Sequence, residues 1–138
     1  MTYAHTVTLA IPFEEAVTRT RELLAEQGFG VLTEIDIHAT FGAKLGAESA
    51  AAVGDYVILG ACNPTLSERS ITAEPTIGVL LPCNVVVRRA PGATETTVQT
   101  IDPQTMVQLT GSPKIKEVAD EVDSRLRKVL AGLAPSAA

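Results

Sequence analysis

The stretch Ile77–Ile101, IGVLLPCNVVVRRAPGATETTVQTI, decides the fold class. Ile77 to Arg88 is rich in β-branched residues, which favour extended chain. Pro91-Gly92 is a turn dipeptide, and Thr94 to Ile101 returns as a second extended run. Two strands joined by a loop of several residues form an antiparallel hairpin. Proline cannot donate to a ladder, so Pro82 marks a bulge, an edge or a break in the first strand.

Working upstream, Tyr56–Cys62 is a mostly apolar run that reads as a strand buried on both faces. Asn63-Pro64 then opens a helix, with Asn as N-cap and Pro at the first helical position, and the helix ends before Pro75. Val31–His38 alternates, with Val31, Thr33, Ile35 and Ile37 on a buried face and Leu32, Glu34, Asp36 and His38 opposite. Ala39–Leu45 reads as a short helix ended by Gly46, and Ala47–Gly54 as a loop or loose helical turn. Pro12–Gln27 places Phe13, Ala16, Val17, Thr20, Leu23 and Leu24 on one stripe of a helix closed by Gly28. Thr6–Ala10 is a short strand, and His5 before it is expected to be exposed.

Downstream, Asp102-Pro103 opens a short helical turn through Leu109, closed by Gly111. Ser112-Pro113 opens a last helix whose stripe is Ile115, Val118, Ala119, Val122, Leu126, Val129, Leu130 and Leu133. The order is β-α-β-(α)-β-α-β-β-(α)-α. It predicts a single compact α+β domain over residues 1–138, a mainly antiparallel sheet with helices on one face, with a core at about 6–133 and a frayed tail over 134–138.

Composition narrows the function classes. A net charge of −5 opposes phosphate backbones. The one basic cluster, Arg125, Arg127 and Lys128, falls near the end of a helix, where cations complement the helix dipole. No nucleic-acid partner is expected. No apolar run approaches the roughly 20 residues that span a bilayer, and Met1–His5 lacks the pattern of a signal peptide. The expectation is a cytoplasmic protein without a membrane partner, in which the two cysteines are thiols.

The most suggestive chemistry lies in Cys62-Asn63-Pro64 and Pro82-Cys83-Asn84. Cys62 precedes a helix N-terminus, a setting that favours the reactive thiolate. Cys83 follows a proline inside a strand, where a bulge can turn the side chain toward a pocket. If the two strands are neighbours, the thiols can meet. The spacing is not that of structural zinc, which draws on paired C-x₂₋₄-C or H-x₃₋₅-H motifs. A two-thiolate site suits a soft metal ion such as copper(I). Equally, a free cysteine can serve as a small buried hydrophobe.

Glu34, Asp36 and His38, on one strand face about 6.6 Å apart at successive alternate positions, are a second candidate for metal binding or proton transfer. A solvated strand face is the alternative. The ligand or metal candidates are therefore Cys62, Cys83, Asn63, Asn84, Glu34, Asp36 and His38. No nucleotide cofactor is indicated: Gly28 and Gly30 follow a helix and lead into a strand, the reverse of the dinucleotide fingerprint.

Four segments carry a family resemblance: GFGVLTEIDI at Gly28–Ile37, KLG at Lys44–Gly46, YVILGACNP at Tyr56–Pro64 and AEPTIGVLLPCNVVV at Ala73–Val87. With Ile101-Asp102 and the closing helix, the chain resembles the small bacterial and archaeal proteins grouped as domain of unknown function 302, over about residues 6–133. The resemblance implies an α+β fold with helices on a mainly antiparallel sheet, and a homodimer. It implies no established activity. The Ala-rich 47–54 segment departs from the more polar pattern of that family, so no pocket or interface contact is carried over to it. The reading is a small-ligand or metal-binding module using the Cys62 and Cys83 motifs. The alternatives are a thiol-dependent enzyme or redox protein acting through Cys62, and a structural or adaptor homodimer.

Overall fold

The computed structural model describes residues 2–134. The expected tail beyond Ala134 lies outside the described residues. The chain runs β1 (Ala4–Leu9), α1 (Phe13–Glu26), β2 (Gly30–Asp36), α2 (Ile37–Leu45), α3 (Ala47–Val53), β3 (Asp55–Cys62) and α4 (Pro64–Ala73). A 3₁₀ turn (Pro75–Leu80) precedes β4 (Cys83–Arg89), β5 (Thr96–Ile101), α5 (Gln104–Thr110) and α6 (Pro113–Leu133). All five strands form one sheet in the order β1-β5-β4-β3-β2, with every neighbouring pair antiparallel. The α+β reading holds, and the β4–β5 hairpin stands at its centre as the opening stretch predicts.

One face of the sheet carries the core. Val57, Leu59 and Ala61 of β3, Cys83, Val85 and Val87 of β4, and Val98 of β5 are buried there. Against them lie α1, through Ala16, Thr20 and Leu24, and α6. The buried residues of α6 are the eight of its sequence stripe, Ile115 to Leu133. At roughly 1.5–3 kcal/mol for each fully buried aliphatic side chain, that stripe is a main source of stability. Caps fix the helix starts: the Asp36, Asn63 and Ser112 side chains accept from the N–H groups of Ala39, Leu66 and Ile115.

Five expectations need correction. Ile77–Arg88 is not one strand: Pro75–Leu80 winds as a 3₁₀ turn, the Leu81–Pro82 peptide is cis, and β4 begins at Cys83. Ala47–Gly54 is helical over Ala47–Val53, as its high alanine content allows. The 31–38 strand stops at Asp36, whose side chain starts α2. It also has no buried face. β2 is an edge strand, and a bulge at Leu32 puts Val31 opposite Ala61 but Thr33 opposite Gly60, so the two lie on different faces. β3 is fully buried on its inner face only; Tyr56 and Ile58 on the outer face are half-exposed. Finally, His5 is not an exposed flank but part of β1, half-buried against α6. No described helix is long and apolar enough to cross a membrane.

Candidate functional site

The antiparallel pairing of β3 with β4 places Ala61 opposite Cys83 and Gly60 opposite Asn84, so Cys62 and Cys83 lie at adjacent register positions on neighbouring strands. Cys62 ends β3. Directly after it, the Asn63 Oδ1 accepts from the Leu66 N–H at 3.1 Å and starts α4. That turn brings the Ser67 Oγ to 3.1 Å from the Cys62 Sγ. Both cysteines are free thiols, Cys62 half-buried and Cys83 buried.

Cys83 borders a cavity of about 20 Å³ between the sheet, α4 and α6, whose polar lining includes Asn63, Ser67 and Ser70. The rest of the wall is apolar, from residues such as Phe29 and Met106. Burial first, and then the nearby negative charge of Cys62, push the Cys83 thiol up to about 11. The thiols therefore sense one another. A space of that size takes a single water or ion and not an organic molecule.

Asn84 belongs elsewhere. It is exposed, and strand alternation sets its side chain on the face opposite Cys83. The Glu34, Asp36 and His38 set is also dispersed into three local tasks. Arg21 donates to Glu34 at 3.2 Å, Asp36 accepts from the Ala39 N–H at 2.9 Å as a cap, and His38 Nδ1 donates to the Gly54 carbonyl at 2.8 Å. The strand ends at Asp36, so His38 leaves the face on which alternation predicted it.

A different set converges. His5 Nε2 lies 2.7 Å from Asp123 Oδ1 and 3.7 Å from Asp102 Oδ1. The three donors come from β1, the residue just beyond β5, and α6. Arg127 Nε donates to Asp123 Oδ2 at 2.9 Å, and the Gln104 N–H donates to Asp102. Burial raises the Asp123 carboxyl, but the hydrogen bonds and charges of Arg127 and His5 outweigh it and hold the group below its usual range. Sequence reasoning missed this set. A signal was present in β1: carrying the alternation of Val7 and Leu9 back two residues turns His5 inward. Nothing comparable marks Asp123 as its partner.

The family model described as domain of unknown function DUF302 matches residues 5–133. No curated protein matches the chain. Among solved structures, the crystal structure of an uncharacterized conserved protein DUF302 from Bacillus stearothermophilus is similar, with a TM-score of 0.84 and 26% identity over 96% of this chain and 99% of that one.

Proposed function

The chain belongs to the DUF302 family, and from that premise we propose that it is a small metal-binding module in which Cys62 and Cys83 are the soft donors for a monovalent ion of the copper(I) class. The observation that carries this reading is two free thiols at neighbouring register positions of β3 and β4, with Cys83 lining a cavity of ion size and Ser67, which also lines it, in contact with Cys62. Thiolates select soft ions, and copper(I) accepts low coordination numbers, so two sulfurs suffice. The size of the cavity supports the metal half of the reading, because an organic ligand there would have to displace core side chains. The Ser67 hydroxyl beside Cys62 and the Asn63 cap hold the first donor in place.

Anaerobic titration with copper(I) against a chromophoric chelator tests this. One ion per chain is expected, with Cys62→Ser and Cys83→Ser each weakening binding about 100-fold or more, since each removes one of the only two thiolates. Binding that is absent in the wild type, or unchanged in both variants, overturns the reading.

A further inference from the structure

We propose that His5, Asp102 and Asp123 form a second, independent site for a divalent cation of the zinc class. One ligand atom from each of the three residues lies within 4.8 Å of the other two. Zinc bound to nitrogen and oxygen at about 2.0–2.2 Å in tetrahedral geometry spaces its ligands about 3.3–3.6 Å apart. The 2.7 and 3.7 Å separations from His5 Nε2 bracket that spacing, so small side-chain rotations complete the triad. One imidazole, two carboxylates and an open fourth position is a donor set suited to zinc and poorly suited to the soft ion proposed above.

The charges are unbalanced in the direction a cation corrects. The side chains of His5, Asp102 and Asp123 are only 15, 20 and 16% exposed. Arg127 binds the Oδ2 of Asp123 and leaves Oδ1 directed at His5. Among the described residues, Arg127 pairs directly with Asp123 and acts on Asp102 only at longer range, so one cation faces two carboxylates. A second observation is independent of the triad. Thr100 stands directly opposite His5 in the β1–β5 register, so the two side chains share one face of the sheet, and Asp102 follows just beyond the end of β5. Thr100 is 1% exposed, and its hydroxyl has no hydrogen-bond partner. Buried hydroxyls without partners are uncommon, and water held by an ion at the triad would supply one. An open hollow bordered by Ala4, His5, Thr6, Arg127 and Leu130 lies beside His5.

Both sites lie at the same end of the sheet. β4 and β1 are separated by β5 alone, so Cys83 and His5 are about two strand spacings, roughly 10 Å, apart across the sheet. Binding requires the Nε2 lone pair, and hence the His5 tautomer with its proton on Nδ1.

The test is calorimetric titration of Zn²⁺ into a Cys62→Ser/Cys83→Ser protein, which keeps its outcome separate from that of the thiol reading. One ion per chain is expected. His5→Ala and Asp102→Asn should each weaken binding about 100-fold, at least the loss seen when a group supporting a zinc ligand is removed. Asp102→Asn preserves the oxygen that accepts from Gln104, so its fold is safeguarded, and circular dichroism checks this. Cobalt(II) at the site should give visible d–d bands that disappear in the same variants. Absence of zinc binding in the cysteine-free protein, or binding unaffected by both variants, overturns the proposal.

Discussion

Cys62 and Cys83 are nearly adjacent across two strands, yet their environments differ. Cys83 lies among core side chains with its thiol pushed up to about 11, so the thiolate is scarce at neutral pH. Cys62 stands half-buried at the start of α4. Timed alkylation with mass spectrometry at pH 8 should therefore modify Cys62 well before Cys83. The sign of the pH effect follows from the raised value: Cys83 alkylation should climb about tenfold per pH unit up to about 11, because the thiolate is the nucleophile. Equal rates for the two thiols would contradict the burial of Cys83. The nearby Asn63 can be tested in the same experiment. Asn63→Ala removes the acceptor for the Leu66 N–H and should cost about 1 kcal/mol in denaturant unfolding.

At the scale of elements, the contact between β2, β3 and the segment before β4 rests on a glycine. Gly60 sits on the outer face of β3 under Thr33 of the edge strand and Pro82 of the cis peptide. A Cβ there would lie 2.9 Å from the Pro82 ring and would clash with the Thr33 side chain. Gly60→Ala should therefore destabilise the protein by about 1–3 kcal/mol, as overpacking does. Thermal unfolding of Gly60→Ala and of Gly60→Ala/Thr33→Ser provides the check. An unchanged melting temperature in Gly60→Ala would show that β2 moves freely on β3. The same region explains why the 31–38 strand was only partly legible. Alternation is a correct guide until a bulge inserts one residue, and Leu32 is that residue.

For the whole molecule, the homodimer is a proposal that needs a surface, and the sheet offers one at β2. The apolar β4 supplies no open edge, because it is central in the sheet and flanked by β3 and β5. Of the two edge strands, β1 and β2, it is β2 that carries exposed aliphatic side chains, Leu32 68% and Ile35 46% exposed. Ile35, Ile58 and Val86 follow one another across three strands on the face turned away from α1 and α6. A long edge with exposed aliphatic residues invites pairing with a second copy. Light scattering at micromolar concentration should give a dimer mass, and Leu32→Glu/Ile35→Lys should give a monomer with an unchanged circular dichroism spectrum. A monomeric wild type at high micromolar concentration would rule the dimer out.

The sequence by itself determined what local chemistry controls. The α6 stripe, the Asn63-Pro64 helix start, the hairpin around Pro91-Gly92 and the α+β order all follow from periodicity, capping and turn residues, which act over a few neighbouring positions. The proximity of Cys62 and Cys83 was conditionally readable, since it needed only that β3 and β4 be neighbours. Tertiary structure alone decided the rest. Strand order made β2 an edge and β4 a centre, and no local pattern encodes that order. The grouping of His5 with Asp102 and Asp123 required the first strand, the residue just beyond the last strand and the final helix to meet across 118 residues of sequence separation. Such contacts depend on how whole elements pack, so residue spacing along the chain carries no trace of them.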